Sequence, residues 1–147
     1  MTKYYTDAAT NKKPLPQPFS AAVMKIAIDV IFPSINYVAN ELHQLIEIPA
    51  GVQVVDYDIH FPDIDSNGTP TIVCSIGTEN AGGTDLGTVW DAALTAGQSA
   101  AVVRAATANC AQESTAAARK VSLKFTAIAA TYAGLGKTGQ VILHLRG

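Results

Sequence analysis

Charged side chains are scarce in this sequence. Asp, Glu, Lys and Arg make up 15% of its 147 residues, and the formal net charge is −2. A nucleic-acid-binding domain carries clustered Lys and Arg, so we expect no nucleic-acid partner. Hydrophobic residues make up 48% of the chain, and Ala, Thr and Gly are abundant, so much of the surface must be small and neutral. A protein partner can cover such a surface closely.

Cysteines and long apolar runs are also lacking. The two cysteines, Cys74 and Cys110, cannot form a dense disulfide framework, and we predict that both are reduced. No run of about 18 apolar residues exists, and the N-terminus has no apolar core of the kind that a secretion signal needs. We therefore expect a soluble protein that is made in the cytoplasm and has no membrane partner. The length is that of one domain.

The first 19 residues are predicted to form an extended arm. Proline at every second position from Pro14 to Pro18 blocks a helix and favours an extended path. The segment nevertheless carries apolar side chains that a solvated linker would not need, namely Tyr4, Tyr5, Leu15 and Phe19. Two interpretations stay open, a frayed terminus and an arm that orders against a neighbouring subunit.

Residues 20–147 are predicted to form an antiparallel β-sandwich body. Apolar residues alternate with polar ones in several short stretches that are separated by turn residues, which is typical of an all-β fold. The predicted strands are 20–32, 42–48, 52–61, 71–76, 100–105, 121–130 and 141–145. We expect the last two to form a terminal hairpin and residues 89–94 to form a short helix or turn. Jelly-roll-like and immunoglobulin-like sandwiches both fit this pattern.

The alternation predicts which side chains of each strand face the core. In the strand 20–32, the apolar face begins at Met24 and ends at Phe32. In the strand 52–61, the pattern places Val55 and Tyr57 on the buried face and Val54 on the face with Asp56, towards water or a partner.

Two motifs resemble parts of ligand-binding loops, but the residues around them do not complete either loop. Residues 134–139 contain the Gly-Lys-Thr of a phosphate-binding loop, but Thr131 stands where that loop needs glycine, and a strand rather than a helix follows. We predict a turn there. Residues 63–68 match the first half of a calcium-binding loop, but Cys74 stands where the bidentate Glu should be. We predict that the Asp and Asn side chains cap a turn with Gly68 in the left-handed conformation; an adventitious cation at Asp63 and Asp65 is the alternative.

No constellation of side chains indicates catalysis. The three histidines, His43, His60 and His144, lie on different predicted strands without short ligand spacing, so we expect exposed or rim positions and no metal site. No Ser, His and acid can be grouped into a catalytic set. We predict a protein that is not an enzyme, with no catalytic residues, no cofactor and no metal. Trp90 is interpreted as a core or interface anchor, with a sugar-stacking platform shared with Tyr57 or Tyr132 as the alternative.

A family resemblance adds a specific expectation. The stretch 49–72, PAGVQVVDYDIHFPDIDSNGTPTI, is followed by the SIGT of residues 75–78 and closed by KTGQVILHL at 137–145. In these stretches the chain resembles small structural proteins of tailed bacteriophages, in particular capsid decoration or cement proteins with a β-sandwich body. The resemblance covers roughly residues 20–147 and carries no catalytic motif.

The resemblance implies a role on the virion. Decoration proteins lie on the outside of the expanded head, commonly as trimers, and clamp neighbouring major capsid subunits. It therefore implies that the major capsid protein and further copies of this chain are the partners, and that the protein is made in the host cytoplasm before it joins the capsid exterior. The arm would reach a neighbour. A head–tail adaptor, a tail structural protein and a carbohydrate-binding receptor-recognition module remain alternatives.

Overall fold

Residues 2–12 and 23–147 are described by a computed structural model of the chain. They form nine strands and one short helix. In chain order, these are β1 Lys3–Tyr5, β2 Val23–Ile31, β3 Glu41–Ile48, β4 Gln53–Phe61, β5 Val73–Glu79, β6 Leu86–Leu94, β7 Ala101–Arg104, α1 Asn109–Gln112, β8 Arg119–Ala127 and β9 Thr138–Arg146.

The strands form two sheets. Sheet A has the order β1-β3-β8-β5-β6, and sheet B has the order β2-β9-β4-β7. All pairs in both sheets are antiparallel except β1 with β3, which is parallel. The predicted all-β sandwich is therefore confirmed.

The strand pairs from β2 to β9 are nested around the middle of the chain. Strand β5 pairs with β6, β4 with β7, β3 with β8, and β2 with β9. This is one long hairpin that is rolled up so that its pairs fall alternately into the two sheets, which is the jelly-roll arrangement of eight strands. Of the two sandwich types that the sequence allowed, the structure has the jelly roll.

The core lies between the sheets and consists of the inward side chains of both. In β2, Ile26, Ile28 and Val30 are buried, as the alternation predicted, because successive side chains of a strand point to opposite faces. The inward residues of β8 and β9 follow the same rule. Trp90, Tyr37 and Tyr57 are the largest fully buried side chains.

The prediction of which β4 side chains face the core is wrong at the start of the strand. Val54 is fully buried while Val55 is half-exposed, because the register against β9 shifts between Val54 and Asp56. A β-bulge of this kind adds one residue to one strand and so reverses which side chains face inward. From Tyr57 onward, the buried positions are the predicted ones.

Two predictions about pairing and local structure are also wrong. The runs 121–130 and 141–145 do not form a hairpin, since β8 lies in sheet A between β3 and β5, whereas β9 lies in sheet B between β2 and β4. Residues 89–94 are the end of strand β6 rather than a helix or turn. Pairing with β5 through several register shifts overrides the weak strand preference of the Asp91-Ala-Ala sequence.

Candidate functional site

The N-terminal strand β1 lies on the edge of sheet A. Lys3, Tyr4 and Tyr5 pair with Leu42, His43 and Gln44 of β3. The two tyrosines point to opposite faces, as neighbours on a strand must. Tyr4 packs against the core, and Tyr5 is 53% exposed.

Tyr4 belongs to a buried aromatic cluster. Its ring lies 5.4 Å from that of Tyr37 in an edge-to-face contact and 5.8 Å from that of His43. The Tyr37 hydroxyl lies 3.1 Å from Nδ1 of His43, a hydrogen-bonding distance. Burial lowers the pKa of His43 to about 4 because desolvation disfavours the charged imidazolium. The expectation that all three histidines lie at exposed or rim positions is wrong for His43.

Lys3 crosses the outer face of sheet A to reach a buried carboxylate. Its Nζ lies 2.7 Å from Oε2 of Glu79, and the two side chains are 15% and 1% exposed. Ser122 donates its hydroxyl to the other oxygen of Glu79. The aliphatic stem of Lys3 can cover apolar surface while its ammonium neutralises Glu79, so the N-terminal strand is anchored by charge as well as by backbone pairing.

A polar groove of about 560 Å³ lies beside this anchor, with Lys3, Tyr5, Glu79 and Arg119 among its lining residues. Glu113 also lines it and accepts a hydrogen bond of 2.9 Å from Nε1 of Trp90. The lining contains basic and acidic side chains in similar number, so the groove has no strong preference for a charged ligand of one sign.

Of the predicted arm anchors, Tyr4 and Tyr5 are thus placed on this chain's own sheet. Leu15 and Phe19 fall outside the described residues. Whether the arm also contacts a neighbouring subunit stays a prediction, and Tyr5 is the described anchor that is available for such a contact.

The aspartate-rich stretch 63–68 forms a tightly bonded loop. Asp65 is buried, and its Oδ2 accepts hydrogen bonds from the N–H groups of Thr71 at 2.8 Å, Ala130 at 2.9 Å and Ile72 at 3.2 Å. Its Oδ1 accepts one of 2.9 Å from Thr131. Burial alone would raise the pKa of Asp65, but these backbone donors lower it to about 2 because they stabilise the carboxylate.

This geometry assigns a structural role to Asp65. The predicted capping by Asp and Asn side chains is confirmed, since Asp63 and Asn67 also accept bonds from backbone N–H groups two residues ahead. Gly68 is not among the residues with positive φ, so that part of the prediction is wrong. No group of three or more potential metal-ligating side chains occurs in residues 2–12 and 23–147.

The second motif, at residues 134–139, forms the predicted turn, with Gly136 at φ 74°. Lys137 donates its ammonium to the carbonyl oxygen of Asp63. The lysine of the apparent phosphate motif therefore holds two loops of the sandwich together.

The aromatic residues considered for sugar stacking do not form a surface platform. Trp90 and Tyr57 are buried, and their rings stack in the core with 6.1 Å between centroids. The interpretation of Trp90 as a core anchor is confirmed. Both cysteines are unpaired and buried, as predicted, and burial raises the pKa of Cys74 to about 12 and that of Cys110 to about 11.

Within the part of the chain that the structure describes, no helix has the length and apolar character needed to cross a membrane.

Comparison with known proteins connects this fold to viral shells. Among solved structures, it is similar to a chain of the capsid of Ralstonia phage GP4, with a TM-score of 0.85 and 26% sequence identity over 99% of this chain and 97% of that one. The fold is shared with phage capsid chains. A chain of the cyanophage Pam1 capsid asymmetric unit is also similar in fold, with a TM-score of 0.61 and 22% identity over 92% of each chain. Protein-family models and curated protein sequences give no match.

Proposed function

We propose that this chain is a structural protein of a tailed-phage virion, and more specifically a decoration or cement protein. It binds the outside of the head and stabilises it by clamping neighbouring major capsid subunits. The observation that carries the proposal is the similarity to a chain of the Ralstonia phage GP4 capsid over nearly the full length of both chains. The specific position on the shell rests on the sequence resemblance to decoration proteins.

The physical mode of action is binding without turnover. A protein that binds the assembled shell but not its loosened form stabilises the shell by mass action. Linking several copies raises the effective concentration of each contact. The resemblance implies a trimer, and that oligomeric state stays a prediction.

The arm supplies the reach to a neighbour in this proposal. Tyr5 is the exposed anchor of β1, and Leu15 and Phe19 follow it in the sequence. Apolar side chains on an extended segment bind by entering grooves of a partner or by adding a strand to its sheet.

The test is reconstitution on expanded heads that were assembled without this protein. Purified protein is expected to bind such heads at many equivalent positions and to raise the temperature at which they release DNA. Heads that bind none at any concentration would contradict the proposal, and binding at a single vertex would favour a head–tail adaptor instead.

The arm is tested separately with a double variant, Leu15→Ser with Phe19→Ser. It leaves β1 and the Lys3–Glu79 pair in place, so we expect weaker head binding with an unchanged melting temperature of the free protein. Leu135→Ser, at an exposed apolar residue in the turn before β9, is the matched control and should bind normally. Equal binding by all three proteins would remove the arm from the proposal.

A further inference from the structure

Strand β2 lies at one edge of sheet B. In the described residues, it pairs with β9 on one side and with no strand on the other. Residues 5–8 border a small cleft together with Ile28, Asp29 and Ile31 of β2, but residues 2–12 make no backbone hydrogen bond to β2. An edge strand presents unpaired backbone donors and acceptors that can pair with another chain.

The outward side chains of β2 form a pattern that is complementary to itself when the strand is reversed. They are Val23, Lys25, Ala27, Asp29 and Ile31, with an apolar residue at each end, opposite charges inside these, and the small Ala27 at the centre. The two end residues are unusually open for apolar side chains, since Val23 is 53% and Ile31 is 67% exposed.

Both charges lack an ionic partner in the described part of the chain. Lys25 and Asp29 are exposed and form no salt bridge there. Asp29 accepts one hydrogen bond of 3.2 Å, from Nε2 of Gln140 on the neighbouring strand. Edge lysines commonly prevent association, but a lysine and an aspartate placed symmetrically about a centre attract a second copy of the same strand.

We propose that the β2 edges of two copies pair in antiparallel around a two-fold axis at Ala27. This register places Lys25 of each copy opposite Asp29 of the other and Val23 opposite Ile31, and it joins the two B sheets into one. A two-fold contact uses the same patch on both subunits, so each favourable pair occurs twice.

Other registers that keep the buried face inward are less favourable. If the two-fold axis passes through Lys25 or Asp29 instead, that residue faces its own copy, and identical charges opposite each other destabilise a strand pair. Moving the axis by one residue to Ile26 or Ile28 leaves both charges facing neutral side chains. The register around Ala27 alone matches both charges and both apolar ends.

The expected association is weak. Stable interfaces bury roughly 1,600 Å² in total, whereas this contact is one strand pair about 30 Å long, given a rise of about 3.3 Å per residue. Each cross-strand ion pair contributes about 0.2–1 kcal/mol. A weak two-fold contact is sufficient where many copies are held close together.

Charge reversal tests the pairing in purified full-length protein without heads, so its outcome is independent of the proposed function. Sedimentation equilibrium up to roughly millimolar protein should show dimers. Lys25→Glu alone and Asp29→Lys alone should each raise the dissociation constant at least tenfold. The double variant, with both reversals, should return it to within about threefold of the original. Lys120→Glu, the same charge change at an exposed position on sheet A, should have no effect.

A disulfide trap fixes the register. Opposed residues of antiparallel strands have Cα atoms about 4.5–5.5 Å apart, which a disulfide can span. Ala27→Cys should therefore form a covalent dimer under mild oxidation, while Thr126→Cys, exposed on β8, should form no covalent dimer. The native cysteines are buried and should not compete.

Several outcomes would overturn the proposal. One is a monomer at every concentration. Another is a dimer whose dissociation constant is unchanged by both single charge reversals. Failure of Ala27→Cys to cross-link faster than Thr126→Cys would exclude the stated register.

Discussion

Asp65 and Asp29 show how differently two regions of this molecule use the same side chain. Asp65 is buried at the loop end of the sandwich, and backbone donors from its own loop and from the loop after β8 surround its oxygens. Asp29 lies exposed on the edge of sheet B with one hydrogen bond from a neighbouring glutamine. The loop end is internally satisfied, whereas the described residues leave the outer edge of β2 without a backbone partner.

The difference in burial between Asp65 and Asp29 separates side chains that stabilise this fold from side chains that can contact another molecule. A buried carboxylate persists only when donors replace the water that it has lost, so its surroundings must be complete within one chain. An exposed carboxylate is already hydrated and contributes little to folding. Removing the same charge at the two positions should therefore change different observables.

The largest expected effect is that of Asp65→Asn. The amide keeps the shape of the side chain but has one acceptor oxygen in place of two, so buried N–H donors of the loops lose their partner. We expect the free energy of unfolding to fall by about 2–4 kcal/mol, as measured by urea denaturation.

Asp63→Asn is the control for that change. Asp63 is partly exposed and accepts one backbone bond of 3.0 Å, so its variant should lose about 1 kcal/mol or less. Equal losses at positions 63 and 65 would contradict the special role of Asp65.

Acid should next destabilise the fold through His43. Burial holds the folded pKa of His43 at about 4, below the ordinary histidine value of 6.5, so between these pH values the unfolded chain binds a proton that the folded chain does not. Stability from this residue is complete above pH 6.5 and is lost as the pH falls to about 4, by at most about 3 kcal/mol. Denaturation curves across this range measure the loss.

His43→Gln should flatten that part of the pH profile, because glutamine does not titrate. The contribution of Asp65, whose folded pKa is about 2 against an ordinary aspartate value of 3.8, is lost only at lower pH. A His43→Gln profile that falls as steeply as that of the original chain would assign the acid sensitivity to other groups.

A smaller effect is expected at the anchor of the N-terminal strand. Lys3→Met keeps most of the apolar stem but leaves the buried carboxylate of Glu79 without its ammonium partner. Because Lys3 is partly solvated, we expect a loss of about 1–2 kcal/mol, with faster hydrogen exchange in β1. Lys12→Met breaks an exposed pair with Asp7 at 3.9 Å and should change stability by less than about 0.5 kcal/mol.

The smallest change in stability is expected for Asp29→Asn, within about 0.5 kcal/mol. Asp→Asn at position 65 should destabilise the fold. At position 29 the same substitution should leave the melting curve unchanged and raise the dimer dissociation constant severalfold. A clear loss of stability would show that Asp29 serves the fold of its own chain and would remove the contrast between the two regions.

The alternation of apolar and polar residues predicted the strands well, because the direction of each side chain along a strand is set by its own backbone. The alternation in β2, β8 and β9 places apolar side chains on one face whatever the partner strand is. The position of His43 was predicted wrongly because β3 buries the polar side chains of Glu41, His43 and Gln44 together with its apolar ones, which an alternating pattern does not predict. The partner of His43, the Tyr37 hydroxyl, belongs to a loop whose path no periodicity describes.

The candidate sites were predictable only in part. The aspartate-rich stretch indicated a capped turn, and that is correct for bonds two residues ahead. The hydrogen bonds that Asp65 accepts from Ala130 and Thr131 could not be predicted, because they join two loops that only the packing of the sheets brings together. The arm stays a prediction. The pairing of β1 with β3 could not be predicted from the sequence, because it depends on where sheet A ends.

The sequence by itself determined the class of fold, most of the inward-facing residues and the absence of a catalytic pattern, since these follow from side-chain chemistry and a period of two. Tertiary structure alone decided the jelly-roll order, the bulge that reverses β4, the burial of His43 and the place of β2 at the edge of sheet B. Each of these depends on which strands become neighbours, and that choice is made by the packing of distant segments around a shared core.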